Sequence, residues 1–150
     1  MALTDCPASG RSLQLRVPKK NRPRFGALPA RLAPLKIVAL SISDSAECAF
    51  VRFLLSHPEQ GREILERAGL AIIESDLIGV ELPDDAQPLF DICVALLQAE
   101  VNITQAYPLL VRPRGRPSVA LMVDNLEMAQ ETLAVKGFTM ITEGDLLMEE

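Results

Sequence analysis

The stretch "RPRGRP", Arg112 to Pro117, places arginines at every second position between two apolar runs. Guanidinium groups clustered in this way are either a grip for an anionic partner or the solvated charges of a hairpin tip. Residues suited to covalent or acid–base chemistry are few. His57 is the only histidine, and it stands before Pro58 at the start of a helical pattern, so a surface or capping role fits it better than catalysis. Asp84 and Asp85 fall in a turn, where solvation is the expected state. Cys6, Cys48 and Cys93 are widely spaced and odd in number, which builds neither a disulfide framework nor a metal site. They read as buried or idle thiols of a reducing compartment, with Cys93 in the core of a helix. There is no phosphate-binding loop, dinucleotide fingerprint, metal-ligand spacing or nucleophile elbow. No catalytic residue, cofactor or metal ligand is therefore assigned, and the chain is expected not to be an enzyme.

The elements that must position these residues come from a chain of 150 residues, 49% hydrophobic and only 4% aromatic. That is enough for one ordinary domain or two very small ones with a real aliphatic core. No apolar run approaches the ~18–20 residues of a membrane-spanning helix. The first twenty residues lack the apolar region of a secretory signal, so a cytoplasmic location is expected. Charge is uneven. Residues 1–36 carry eight Lys or Arg against Asp5 alone, whereas the remainder carries seven basic and nineteen acidic side chains. The basic segment could meet nucleic acid, or it could be a solvated arm lying against an acidic body. Phe25 is its only aromatic residue, which leaves no stacking platform and favours the second reading.

The chain says nearly the same thing twice. "VRFLLSHPEQGREILERAGLAII" (51–73) aligns with "VALMVDNLEMAQETLAVKGFTMI" (119–141) at a constant offset of 68 residues. Val51 meets Val119, Phe53 meets Leu121, Leu65 meets Leu133 and Gly69 meets Gly137. Each copy reads as an alternating strand, then a capping-box-like start with Glu three residues after Ser56 or Asp124, then a helix ending at glycine. A further strand follows in "LAIIESDLIGVEL" and "FTMITEGDLLM". Ahead of the second copy, "DLIGVEL" predicts a strand, "AQPLFDICVALLQAEV" a helix and "VNITQAYPLLV" an edge strand that tolerates Pro108. Gly115 then turns the chain, with Arg112, Arg114 and Arg116 expected as solvated charges at the tip. Residues 77–150 thus predict strand–helix–strand–strand–helix–strand, the ferredoxin-like α+β sandwich of an antiparallel sheet with helices on one face. The first half repeats this from "SLQLRV" onward, but Pro34 makes its first helix short, irregular or absent.

The βαββαβ order, "AEVNI" ending at Ile103, "VDN…A…L…GF" from Val123 to Phe138 and the tandem duplication together resemble ACT domains, small regulatory modules that bind amino acids. The resemblance covers about residues 13–147. It implies an N-terminal arm (1–12), a degenerate first domain (13–76) and a second domain (77–150). It also implies a ligand cleft between paired domains, near a first strand–helix loop that usually reads Asp-x-Pro-Gly-x-Leu, with Asn-Ile further on. In the second half Leu89 is followed thirteen residues later by Asn102 and then Ile103, while Ala86 and Gln87 replace Pro-Gly. In the first half Gly26 and Leu28 match, with Phe25 in place of Pro and Lys36 at the Asn position after a shortened spacing.

Gly26, Gln87, Asn102 and Ile103 are accordingly the ligand-binding candidates. A glycine before a helix lets a carboxylate reach free backbone N–H groups, and Asn102 adds a donor and an acceptor. The implied function is an amino-acid-binding allosteric regulator, homodimeric, acting on a biosynthetic enzyme. Similarity to the acetolactate synthase small subunit makes that synthase's catalytic subunit one candidate partner. Two alternatives stay open: a ligand-free interaction module of ACT fold, and an RNA-binding ferredoxin-like protein. The latter lacks aromatics on the central strand "SVALMV".

Overall fold

The computed structural model describes residues 10–18, 35–44 and 47–147. The chain divides into two compact units, one spanning Arg11–Ser75 and the other containing Asp76–Glu150.

In the first unit β1 (Gly10–Pro18), β2 (Ile37–Asp44) and β3 (Cys48–Leu55) form an antiparallel sheet with β3 in the middle. Leu13 pairs with Phe53 on one side, and Leu40 pairs with the same residue on the other. Helix α1 (Pro58–Arg67) follows β3 and lays Leu65 onto a core of Leu13, Leu35, Val51, Phe53 and Leu55. Gly61 is where α1 presses on the sheet, since a β-carbon there would run into the Leu55 side chain. The repeat places Ala129, the next smallest residue, at the equivalent position, and it too is fully buried. The shortened first helix expected before β2 lies outside the described residues.

Strand β4 (Ile72–Glu81) runs across the boundary, so the strand expected to close the first copy and the strand expected to open the second are one element. The second unit continues with α2 (Pro88–Gln98), β5 (Ile103–Pro108), β6 (Ser118–Val123), α3 (Leu126–Val135), β7 (Met140–Ile141) and α4 (Glu143–Leu147). Its sheet runs β5-β6-β4-β7 with antiparallel neighbours, the ferredoxin-like order. Helices α2 and α3 pack together, and Ile92, Leu96, Ala129 and Leu133 meet Ile78, Val80, Val119 and Leu121 of the sheet. Pro108 ends β5 at the sheet edge, where its missing N–H costs no ladder bond.

Four details differ from the sequence reading. The strand expected through "FTMITEGDLLM" is only Met140–Ile141, because Thr142 and Asp145 exchange capping bonds (Thr142 N to Asp145 Oδ2 2.9 Å, Asp145 N to Thr142 Oγ1 3.2 Å) and start α4. The N-caps move by one residue. Pro58 takes the first helical position, which makes His57 the cap of α1, while Ser56 Oγ accepts from Lys36 N (3.3 Å) and bonds His57 Nδ1 (3.0 Å). Asn125 rather than Asp124 caps α3, accepting from Met128 N at 3.1 Å. Cys93 is exposed rather than core, because the buried stripe of α2 is Ile92, Ala95 and Leu96, and the next position is rotated about 100° away. Cys48 is buried.

Each of the three longer helices ends in one motif. Gly69, Glu100 and Gly137 all have positive φ (79°, 59° and 87°). The next N–H reaches back to the helix: Leu70 to Leu65 O (3.2 Å), Val101 to Leu96 O (2.9 Å) and Phe138 to Leu133 O (2.9 Å). This is the Schellman closure, with an apolar residue after the turn packing on the helix's last core residue. Glu100 alone bears a β-carbon in this left-handed conformation, which costs about 1 kcal/mol. Glu100→Gly is therefore expected to raise the unfolding free energy by about 1 kcal/mol, and Gly137→Ala to lower it by a similar amount, each read as a shift of the urea midpoint at unchanged slope.

Candidate functional site

The polar residues of the second unit gather at its two ends. At one end β4 delivers the loop from Leu82 to Gln87, and Gln87 becomes the N-cap of α2. Its carbonyl accepts from Asp91 N (3.0 Å), but its side chain makes no capping bond. Asp85 Oδ1 accepts from Ala86 N (2.6 Å). The Asp91 carboxyl, in the first turn of α2, bonds the Asp85 carboxylate. This holds Asp85 below the ordinary carboxylate value and pushes Asp91 above it. Asp84 and Asp85 are both exposed, as expected of a solvated turn.

At the opposite end Asn102 enters β5. Its backbone N donates to Asp124 Oδ1 (3.0 Å) and its Nδ2 to Asp124 Oδ2 (2.8 Å), while Asp124 N donates to Asn102 O (3.1 Å). The side-chain and backbone donors of Asn102 hold the Asp124 carboxyl below its usual range. Asn102 therefore clasps the start of β5 to the end of β6. Ile103, beside it, packs against the core. Eleven residues of α2, about 16 Å of helix, separate Gln87 from Asn102, so one copy of the unit does not bring them to a common small ligand. Gly26 lies outside the described residues.

A concave surface lies at the Gln87 end. A depression of about 440 Å³ is lined by Glu81, Leu82, Pro83, Asp84, Arg116, Gly137, Phe138 and Thr139. The bonds Glu81 N to Thr139 O (2.8 Å) and Leu82 N to Pro117 O (2.9 Å) fix its walls. The "RPRGRP" loop does not project as a tight hairpin tip. Pro113–Gly115 forms a 3-10 turn with Arg114 and Gly115 at positive φ, and Val111 and Pro113 are buried. Arg116 Nε meets Glu81 Oε1 at 2.8 Å, and Arg114 reaches Glu81 Oε2 (3.7 Å) and Asp145 Oδ2 (3.9 Å). Burial of Val111 and Pro113 draws the loop inward, so two of its guanidinium groups meet carboxylates of their own chain. The sequence reading named Arg116 but missed its pairing with Glu81, because 34 residues intervene and no local pattern joins them. Among the described residues, no group of three His, Cys, Asp or Glu is placed to hold a metal ion. No helix among the described residues is long and apolar enough to cross a membrane.

Fold and site define an α+β protein of two ferredoxin-like units, with polar groups collected at strand–helix loops. The chain belongs to the ACT domain pair family, whose model matches residues 29–149. Among solved structures it is similar to protein BT0572 of Bacteroides thetaiotaomicron, with TM-score 0.79 and 19% identity over 94% of this chain and 98% of that one. It is also similar to the ligand-free regulatory subunit of aspartate kinase from Thermus thermophilus, with TM-score 0.53 and 16% identity over 85% and 92%. The Thermus flavus regulatory subunit of aspartate kinase gives TM-score 0.50 and 13% identity over the same shares. No curated protein matches the chain.

The clasp has a pH signature. Asp124 and Asp145 both lie below the ordinary carboxylate value, Asp124 through Asn102 and Asp145 through its bonds to Thr142 and the Arg114 charge. Their contribution is present above about pH 4 and is lost as pH falls through the depressed values. Asp91 has the opposite sign, since holding its proton to higher pH costs stability as pH rises. Urea midpoints measured between pH 5 and pH 2.5 are expected to fall with acidification, and the fall should be shallower in Asp124→Asn.

Proposed function

We propose that this chain is a non-enzymatic regulatory protein that binds a free amino acid and thereby alters the activity or assembly of an amino-acid biosynthetic enzyme. The observation that carries the reading is the ACT domain pair match over residues 29–149. Support comes from a neighbour of the same fold and comparable length that is a regulatory subunit of aspartate kinase. Mechanistically, the ligand binds one conformational state better than another, and the partner responds to the state that is populated. The acetolactate synthase catalytic subunit remains a candidate partner from the sequence resemblance, and a cytoplasmic location goes with either enzyme.

The reading includes self-association. Gln87 and Asn102 stand at opposite ends of α2, so a single ligand touches both only when two copies pair, with Gln87 from one and Asn102 and Ile103 from the other. Gly26 is carried as a further ligand contact in the first unit. A ligand-free assembly module is the second reading. It is favoured by one observation, that the Asn102 amide is already committed to Asp124.

Thermal unfolding against each of the twenty amino acids at millimolar concentration tests the choice. A ligand at ~100 times its dissociation constant adds ~2.7 kcal/mol, several degrees for units of this size. The expected result is a shift with one or a few related amino acids, lost in Asn102→Ala. A flat response to all twenty rejects the sensor in favour of the assembly module.

A further inference from the structure

We propose that the depression at the Leu82–Gln87 end of the second unit receives the charged head of the amino acid, with Arg116 taking the α-carboxylate and Asp84 the α-ammonium. This inference rests on the proposed sensor function and assigns the atoms that read the ligand. The depression has the capacity, about 440 Å³, of a small-molecule site. Its walls come from three segments tied by backbone bonds, the end of β4, the residues before β6 and the turn after α3.

The charges inside it match a zwitterion. Glu81 is only 12% exposed and is countered by two guanidinium groups, Arg116 at 2.8 Å and Arg114 at 3.7 Å. Its charge is therefore spent within the protein. The Arg116 pair uses Nε–H, one of the five N–H groups of a guanidinium, on a side chain 47% exposed. Glu81 thus holds Arg116 through Nε and leaves other N–H groups of a half-exposed guanidinium for a second carboxylate. Asp84 is the exposed carboxylate on the same rim. A simple anion would face Asp84 and a simple cation would face Arg116, whereas an α-amino acid carries both complements.

The test is a contact cycle by calorimetry on the full chain. The probes are the amino acid that shifts unfolding, its α-carboxamide and its N-acetyl derivative. The proteins are wild type, Arg116→Gln, Asp84→Asn and Arg114→Ala, each first checked for an unchanged ligand-free unfolding temperature. Wild type should lose about tenfold or more on going to the carboxamide, and Arg116→Gln should bind amino acid and carboxamide alike at that weakened level. Asp84→Asn should be equally indifferent to N-acetylation. Arg114→Ala, which also touches Glu81 but does not line the depression, should stay within about twofold of wild type. If Arg116→Gln and Asp84→Asn bind the amino acid as wild type does while Asn102→Ala fails, the head-group assignment is overturned and the sensor stands. If no amino acid binds wild type, both are overturned.

Discussion

The termination of the helices is the constraint on which the rest of this structure depends. A βαβ crossover works only if the chain leaves each helix in a direction that returns it to the sheet in register. Here one device does this three times: a residue at positive φ, and an N–H reaching back to the carbonyl of Leu65, Leu96 or Leu133. Leu70, Val101 and Phe138 each pack against the core of their own unit just past the turn. The same turns place the polar groups. Asn102 lies two residues after Glu100, and Gly137, Phe138 and Thr139 form one wall of the depression. A helix one residue longer would swing all of them by about 100°.

Charge organisation is the second layer. The chain has a net charge of −5, yet its acids are not simply dispersed over the surface. Asp124 accepts from the backbone N and the side-chain Nδ2 of Asn102, Asp85 is bonded to Asp91, and Glu81 holds Arg116 while also facing Arg114. Exposed pairs contribute little to stability in such settings. Their effect is geometric, because each fixes a loop or strand end that carries residues of the candidate site.

Much of the fold was legible in the sequence because the pattern repeats. Two copies at an offset of 68 residues made the strand–helix–strand grammar visible, and Val51, Leu65, Val119 and Leu133 are buried where the alternation and the helical spacing place them. Glycine at 69 and 137 marked the helix ends correctly, since only glycine takes positive φ without cost. What escaped was decided by competition between near-equal local choices. Ser56 and Asp124 are good caps by type, but Pro58 and Asn125 took the boundary and freed them for Lys36 and Asn102. α4 escaped because a two-residue capping exchange at Thr142 and Asp145 outweighed a weak strand signal. Asn102 was located correctly at the head of β5, but its tie to Asp124 was not foreseeable from either residue alone.

The sequence by itself determined the order of elements, the duplication and the apolar faces, because these depend on periodicity and on backbone preferences that neighbouring residues carry within themselves. Only the tertiary structure decided which charges would meet. The three arginines of "RPRGRP" looked like a solvated tip until burial of Val111 and Pro113 brought Arg114 and Arg116 onto Glu81, 33 and 35 residues earlier in the chain. Such pairings depend on how far each loop folds back over the end of the sheet. That distance is set by packing summed over many residues, and no short stretch of sequence records it.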